Sequence, residues 1–151
     1  LNWRKRRRTM YITRAPGVAM PKYMTPGAAG FDIYAHLESD LKMVPNRVYV
    51  VPTGLFVQLP HGHELQVRSR SGLVKRHDVG VANAPGTIDS DYRGEVKVLL
   101  KNCGSEYYTV HCGERIAQGV VVPVLRVDVE NAECLSTTDR GSGGFGSTGL
   151  F

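Results

Sequence analysis

The sequence predicts an all-β barrel or jelly roll, and three observations carry that prediction. Apolar and polar residues alternate over short runs, as in Phe31-Asp32-Ile33-Tyr34-Ala35 and Glu64-Leu65-Gln66-Val67-Arg68-Ser69. Turn residues punctuate the chain closely, at Pro16-Gly17, Pro26-Gly27, Pro45 and Pro52. No segment keeps a helical period for three turns, so layers of strands are left to form the core. With 151 residues, 42% of them hydrophobic, the chain is one domain or one subunit of an oligomer.

The elements follow in order. Residues 1–9 read as a disordered basic tail, and residues 10–138 as the β-domain. Residues 139–151 read as a flexible C-terminal arm. The net charge of +5 belongs to the tail, because Arg4, Lys5, Arg6, Arg7 and Arg8 supply five charges and leave the remainder neutral. Such a run suits nuclear import, a phosphate-binding arm, or a remnant of upstream sequence. Thr9–Thr13 is a first strand, and the alternation at 31–35 a second. Arg47–Val51 and Gly54–Leu59 read as two strands separated by Pro52. Leu73–His77 reads as a helical turn, and Val96–Leu100 and Tyr107–Val110 as strands. Ile116–Val124 is apolar on both faces, which predicts burial on both sides. Gln118 inside that run needs a partner, either a neighbouring group or a ligand phosphate. Cys103, Cys112 and Cys134 make an odd set with no Cys-x-x-Cys pair, which favours a reducing, intracellular compartment. Cytoplasm, nucleus and a viral source are equally compatible with this. No apolar stretch approaches the ~20 residues a bilayer span requires.

Chemistry concentrates in three places. Asn83 to Val96 has a turn at Ala84-Pro85-Gly86, then Asp89, Ser90, Asp91, Tyr92 and Arg93, and runs into a strand. A hairpin that opens there would leave backbone N–H and C=O groups side by side. Such an edge tells uracil from cytosine, because the wrong base leaves buried polar groups unpaired. Asp91 is expected to pair with an arginine or a backbone amide, leaving Asp89 to the chemistry. Arg70-Ser71-Gly72-Leu73 directly follows a strand and reads as an anion cradle or as an ordinary turn. Asp139 to Gly149 holds five glycines, an arginine, one aromatic ring and three hydroxyls. It reads as a mobile end or as a segment that wraps phosphates and stacks on a base. Asp32, a lone acid in an apolar strand, is an edge residue or a carboxylate facing a metal or substrate. His61 and His63 lack a third ligand nearby and are not read as a metal site.

From about Met10 to Gly149 the sequence resembles the homotrimeric dUTP pyrophosphatases (dUTPases). Five motifs appear in the family's order. They are Ala29-Gly30-Phe31-Asp32-Ile33-Tyr34, Arg70-Ser71-Gly72-Leu73, Asn83 with Gly86 to Gly94, Gly113-Glu114-Arg115-Ile116-Ala117-Gln118, and Arg140 to Gly149. The resemblance implies a distorted jelly roll of the β-clip type, assembled as a homotrimer with three composite sites. It implies hydrolysis of dUTP to dUMP and pyrophosphate by in-line attack of water on the α-phosphorus. This limits uracil incorporation in DNA and supplies dUMP for dTMP synthesis. It makes Asp89 the general base and Mg²⁺ the cofactor, with Asp32 contacting the metal through water. Arg70, Ser71, Gly72 and Gln118 would hold phosphates. Asn83, Gly86, Thr87, Ile88 and Lys97 would read the base, and Tyr92 would exclude a 2′-hydroxyl. From the tail, Arg140, Gly146, Ser147 and Thr148 would close over the phosphates while Phe145 stacks on the base. No membrane and no nucleic acid is required.

Some positions depart from the family pattern. Ser69 stands where proline is frequent, Phe31 where tyrosine or leucine is commoner, and Lys97 where glycine or methionine is common. None removes a reactive group. A dCTP deaminase of the same fold would carry a glutamate on the strand after the hairpin, where this chain has Leu99. A catalytically dead interaction protein on the scaffold would not need Asp32, Ser71, Asp89, Arg140 and Phe145 together.

Overall fold

The structure is a computed structural model that describes residues 8–147 and 149. Most of the basic run expected at Arg4–Arg8 and the predicted phosphate ligand Thr148 lie outside the described residues. Ten strands and one helix follow in chain order: β1 Tyr11–Arg14, β2 Phe31–Tyr34, β3 Leu41–Met43, β4 Val48–Gln58, β5 His63–Arg68, α1 Ser71–His77, β6 Val79–Val81, β7 Gly86–Ile88, β8 Glu95–Asn102, β9 Tyr108–Val110 and β10 Arg115–Pro123.

One sheet has the order β1-β4-β8-β6, the second β2-β10-β5-β7, and β3 pairs with β9 alone; every pairing is antiparallel. The fold is the expected all-β jelly roll. Period-two burial builds the core. In β8, Val96, Val98, Leu100 and Asn102 point inward and are buried, while Lys97 on the other face is exposed. Ile33, Met43, Val51, Leu65, Val110 and Ile116 meet them in one apolar cluster. Burying one such side chain stabilises the fold by roughly 1.5–3 kcal/mol.

Several expectations need correction. Arg47–Val51 and Gly54–Leu59 are not two strands but the single strand β4. Pro52 is tolerated because the register slips there, from Val51↔Val98 to Leu55↔Val96, and the bulge removes the need for its N–H. The first strand lies at Tyr11–Arg14 rather than Thr9–Thr13, and the helix begins at Ser71, before Leu73. Short strands β3, β6 and β7 were not expected; at three residues each they are too brief to show a period. The run Ile116–Val124 is buried on both faces as far as Val120 and opens to solvent only beyond it. Ile116 and Ala117 are inaccessible, Val121 and Val122 are half-buried, and Val124 is exposed.

Asn102 is the one side-chain amide fully buried among the described residues, and both its polar atoms are used. Its Nδ2 donates to the carbonyls of Met43 (3.1 Å) and Glu106 (2.8 Å), and its Oδ1 accepts from the Gly104 amide at 3.0 Å. It thereby ties the β3–β9 pair to the end of β8. Asn102→Leu keeps the branched shape and strips three partners. It should cost about 2–4 kcal/mol, read as a lower urea midpoint at unchanged slope.

Candidate functional site

The predicted site residues fall into three groups. The first lies where β2, β10 and β5 run side by side. Gln118 of β10 sits opposite Asp32 of β2 on one flank and Arg68 of β5 on the other. The chain then leaves β5, passes Ser69 and Arg70, and starts α1 at Ser71. Arg70 is the extended N-cap residue, with φ −86° and ψ 123°. Its carbonyl accepts from the Leu73 and Val74 amides, which leaves the Ser71 and Gly72 amides as the helix's first donors. Gln118 has the partner its setting demanded: Nε2 donates to the Ser69 carbonyl at 2.9 Å. Gly30 makes room for it, since a Cβ there would stand 3.1 Å from Gln118 Oε1.

Asp32 is held by two guanidiniums. Arg70 Nε donates to Oδ1 at 3.1 Å and Arg115 Nη1 to Oδ2 at 3.2 Å, with the carboxylate side chain only 14% exposed. Arg70 Nη1 also donates to the Arg115 carbonyl at 3.0 Å. Asp32 therefore sits on the edge strand β2 as an ion-paired carboxylate. Arg115 was not singled out from sequence, although a lone cation at the head of an apolar run was the signal. Behind it, Glu114 accepts from the Tyr108 hydroxyl and from the His111 amide at 3.0 Å. Burial, reinforced by the Glu114 carboxylate, pushes the Tyr108 phenol above its ordinary value.

The second group is the split hairpin. β6 pairs with β8 as far as Val81↔Leu100, and the Ala82 amide still reaches the Leu99 carbonyl at 2.7 Å. The chain then crosses Asn83 and a cis Ala84–Pro85 bond and joins the other sheet. There Gly86, Thr87 and Ile88 pair with Val67, Gln66 and Leu65. β8 stays paired to β4. Among the described residues no backbone hydrogen bond joins 83–88 to 95–98, so both backbone edges are left unpaired on these sides. Asn83 and Thr87 are exposed and Ile88 is half-buried. Tyr92 folds back on the hairpin, its hydroxyl donating to the Glu95 carbonyl at 3.0 Å. Lys97 Nζ is 3.6 Å from Glu95 Oε2. Asp89, exposed, lines a cleft of about 330 Å³ together with Asp91, His61, His63 and Arg126. The expected pairing of Asp91 is not found. It has no hydrogen-bond or salt-bridge partner among the described residues, because Arg93 turns to the Ser90 and Tyr92 carbonyls, both at 2.8 Å.

The third group is the tail, where tight turns follow one another. Gly141, Gly143, Ser147 and Gly149 each donate a backbone bond three residues back, at 2.9–3.0 Å. Arg140 Nε donates to the Gly143 carbonyl at 2.8 Å, and Phe145 is fully exposed with φ 50°. Gly146 and Ser147 are exposed as well. The first two groups are joined: β7 pairs with β5, and the Val81 amide donates to Ser69 Oγ at 2.8 Å. Among the described residues no hydrogen bond or ion pair joins the tail to either of them. Neither His61 nor His63 belongs to a metal-binding cluster; no group of three His, Cys, Asp or Glu ligands is present among the described residues. His63 instead contacts Arg8 at 2.6 Å.

Comparison with known proteins gives a consistent result. The sequence matches the dUTPase family over residues 17–149. It is 53% identical over 136 residues to a deoxyuridine 5′-triphosphate nucleotidohydrolase of Anaeromyxobacter sp., covering 90% of this chain and 91% of that protein. The fold superposes on a dUTPase of Staphylococcus bacteriophage 80alpha solved with dUPNHPP, at TM-score 0.81 and 25% identity over 94% of this chain and 99% of that one. It also superposes on a mutant dUTPase from phage phi11 of S. aureus described with a structural Mg(II) ion, at TM-score 0.76 and 20% identity over 85% and 99%.

The Tyr108–Glu114 pair gives a pH test. A raised phenol pKa stabilises the fold fully below the unfolded value of about 10, and the contribution fades as pH rises toward the folded value. Tyr108→Phe should therefore be less stable than wild type at about pH 8, and the gap should shrink by about pH 11. Urea unfolding at both values measures it.

Proposed function

This chain belongs to the dUTPase family and is a dUTP diphosphatase, and we propose that it splits dUTP by in-line attack of water on the α-phosphorus. The water oxygen forms the new bond to phosphorus, the bridging bond to the β-phosphate breaks, and pyrophosphate leaves with dUMP. Asp89 takes the water's proton as general base. The observation that carries this reading is the pair of unpaired edges in the split hairpin. A uracil inserted between 83–88 and 95–98 would meet backbone donors and acceptors on both sides. Asn83, Gly86, Thr87, Ile88 and the Lys97 backbone read it, and the Tyr92 ring occupies the space a 2′-hydroxyl would need.

The phosphates are assigned to Arg70, Ser71, Gly72 and Gln118, with Arg140, Gly146, Ser147 and Thr148 closing from the tail and Phe145 stacking on the base. Charge stabilisation by such groups is most of the work in phosphoryl transfer. The tail's lack of any hydrogen bond to the other two groups among the described residues supports a composite site in a homotrimer. So does unpartnered apolar surface. Leu125, Val127 and Val129 are 87%, 70% and 93% exposed in an alternating row, and Val48 and Val50 lie on the outer face of β4.

The donor set near Arg70 fits a cation that arrives on the triphosphate rather than one caged by protein. Asp32 is the one carboxylate that pairs with Arg70 among the described residues, and Mg²⁺ is commonly held by one or two carboxylates plus phosphates and waters. Asp32 would hold it through water, and when bound it would neutralise developing phosphate charge. The enzyme's role is then to limit uracil in DNA and to supply dUMP for dTMP synthesis. An intracellular setting suits that role, and no described helix is long and apolar enough to cross a membrane.

Pyrophosphate release with Mg²⁺ from dUTP, and not from dCTP, dTTP or UTP, is the expected result. Release from several would mean that the hairpin does not select. Asp89→Asn should bind nucleotide nearly as well and turn over at least ~10²-fold more slowly. Wild-type turnover in that variant would remove Asp89 as the base.

A further inference from the structure

We propose that Glu95 is a positioning residue for substrate selection, anchoring the β8 arm of the split hairpin to the bulge of β4 and so fixing the support on which Tyr92 rests. The inference builds on the reading that the hairpin receives the base and sugar. It starts from the register slip in β4. Partners run Val51↔Val98 and then Leu55↔Val96, so Pro52, Thr53 and Gly54 stand opposite Lys97 alone. The Thr53 and Gly54 amides, which a regular strand would pair across the ladder, donate to Glu95 Oε1 at 3.1 and 2.9 Å. Thr53 is fully buried; its hydroxyl donates to the Val96 carbonyl and accepts from the Leu55 amide at 3.2 Å. A side chain of β8 thus completes the hydrogen bonding of β4.

The same residue carries the aromatic side chain. The Glu95 carbonyl accepts from the Tyr92 hydroxyl at 3.0 Å, and Glu95 Oε2 faces Lys97 Nζ at 3.6 Å. The Tyr92 ring lies across Gly94, where a Cβ would stand 2.3 Å from Oη and 2.5 Å from Cζ. Discrimination against a 2′-hydroxyl depends on where that ring sits, and a small displacement opens the space. Removing the carboxylate leaves two amides without an acceptor, and residue 95 must move to find them water. The Tyr92 acceptor moves with it.

The test labels the protein with 3-fluorotyrosine and assigns the Tyr92 ¹⁹F signal with Tyr92→Phe. It then follows that signal, and kcat/KM for dUTP and UTP, in Glu95→Ala and Glu95→Gln. Glu95→Ala should shift the Tyr92 signal and lower the dUTP-to-UTP ratio by about tenfold, mainly through KM for dUTP. Glu95→Gln keeps an Oε1 acceptor and should restore both. If Glu95→Ala does not fold, Glu95→Asp takes its place, a methylene too short to reach the amides. An unchanged signal with an unchanged ratio overturns the inference, as does a Gln variant as defective as Ala. A wild-type enzyme that hydrolyses dUTP and UTP alike would overturn the sugar reading instead, and the ¹⁹F signal would still decide the role of Glu95.

Discussion

Between Ala82 and Gly86 the backbone leaves one sheet and enters the other, while its hairpin partner β8 stays behind. A polar backbone edge left open in this way is costly unless water or a ligand satisfies it. The rest of the site depends on that opening being held at a fixed width. β7 is clamped by β5, β8 is clamped by β4, and the two clamps belong to opposite layers of one core. The width of the gap is therefore set by packing across Leu65, Val67, Val96 and Val98, all buried, and not by the hairpin residues themselves. Close-packed interiors resist change in such spacings.

Electrostatics organises the far edge of the sheet to which β7 belongs. Asp32 would be an expensive group to leave at 14% exposure in a β-strand without partners. The two guanidiniums make it tolerable, and they come from different elements: Arg70 from the junction of β5 and α1, Arg115 from the start of β10. The carboxylate thus fixes the relative position of three chain segments. Glu114 extends the arrangement by accepting from Tyr108 and the His111 amide, so the turn that delivers Arg115 is itself held. An anionic ligand approaching Arg70 meets a guanidinium whose Nε is already oriented by Asp32, which lowers the ordering cost of binding.

What was legible in the sequence had a period or a spacing. Phe31 to Ala35 and Glu64 to Ser69 alternate cleanly and are strands with the buried faces expected. Asp32, Arg70, Gln118 and the Asn83–Val96 stretch stood out because polar groups were dense where turns or apolar strands predicted none. The misses share a cause. Pro52 looked like a strand break because a proline lacks its donor, yet a bulge made that donor unnecessary. Three-residue strands carry too few positions to reveal alternation. Asp91 was expected to find an arginine or a backbone amide, but Arg93 turns to the Ser90 and Tyr92 carbonyls and no amide reaches Asp91 among the described residues.

By itself the sequence determined the all-β class and the family. Those follow from local pattern, composition and motif order, which need no partner in space. Tertiary structure alone decided that Arg115 closes on Asp32, that Glu95 completes a bulge 41 residues away, and that β7 and β8 do not pair. Each of these is a contact between segments far apart in the chain, chosen by which buried polar groups lacked partners once the sheets had packed. No local pattern encodes that choice, because it depends on geometry that exists only after the core has formed.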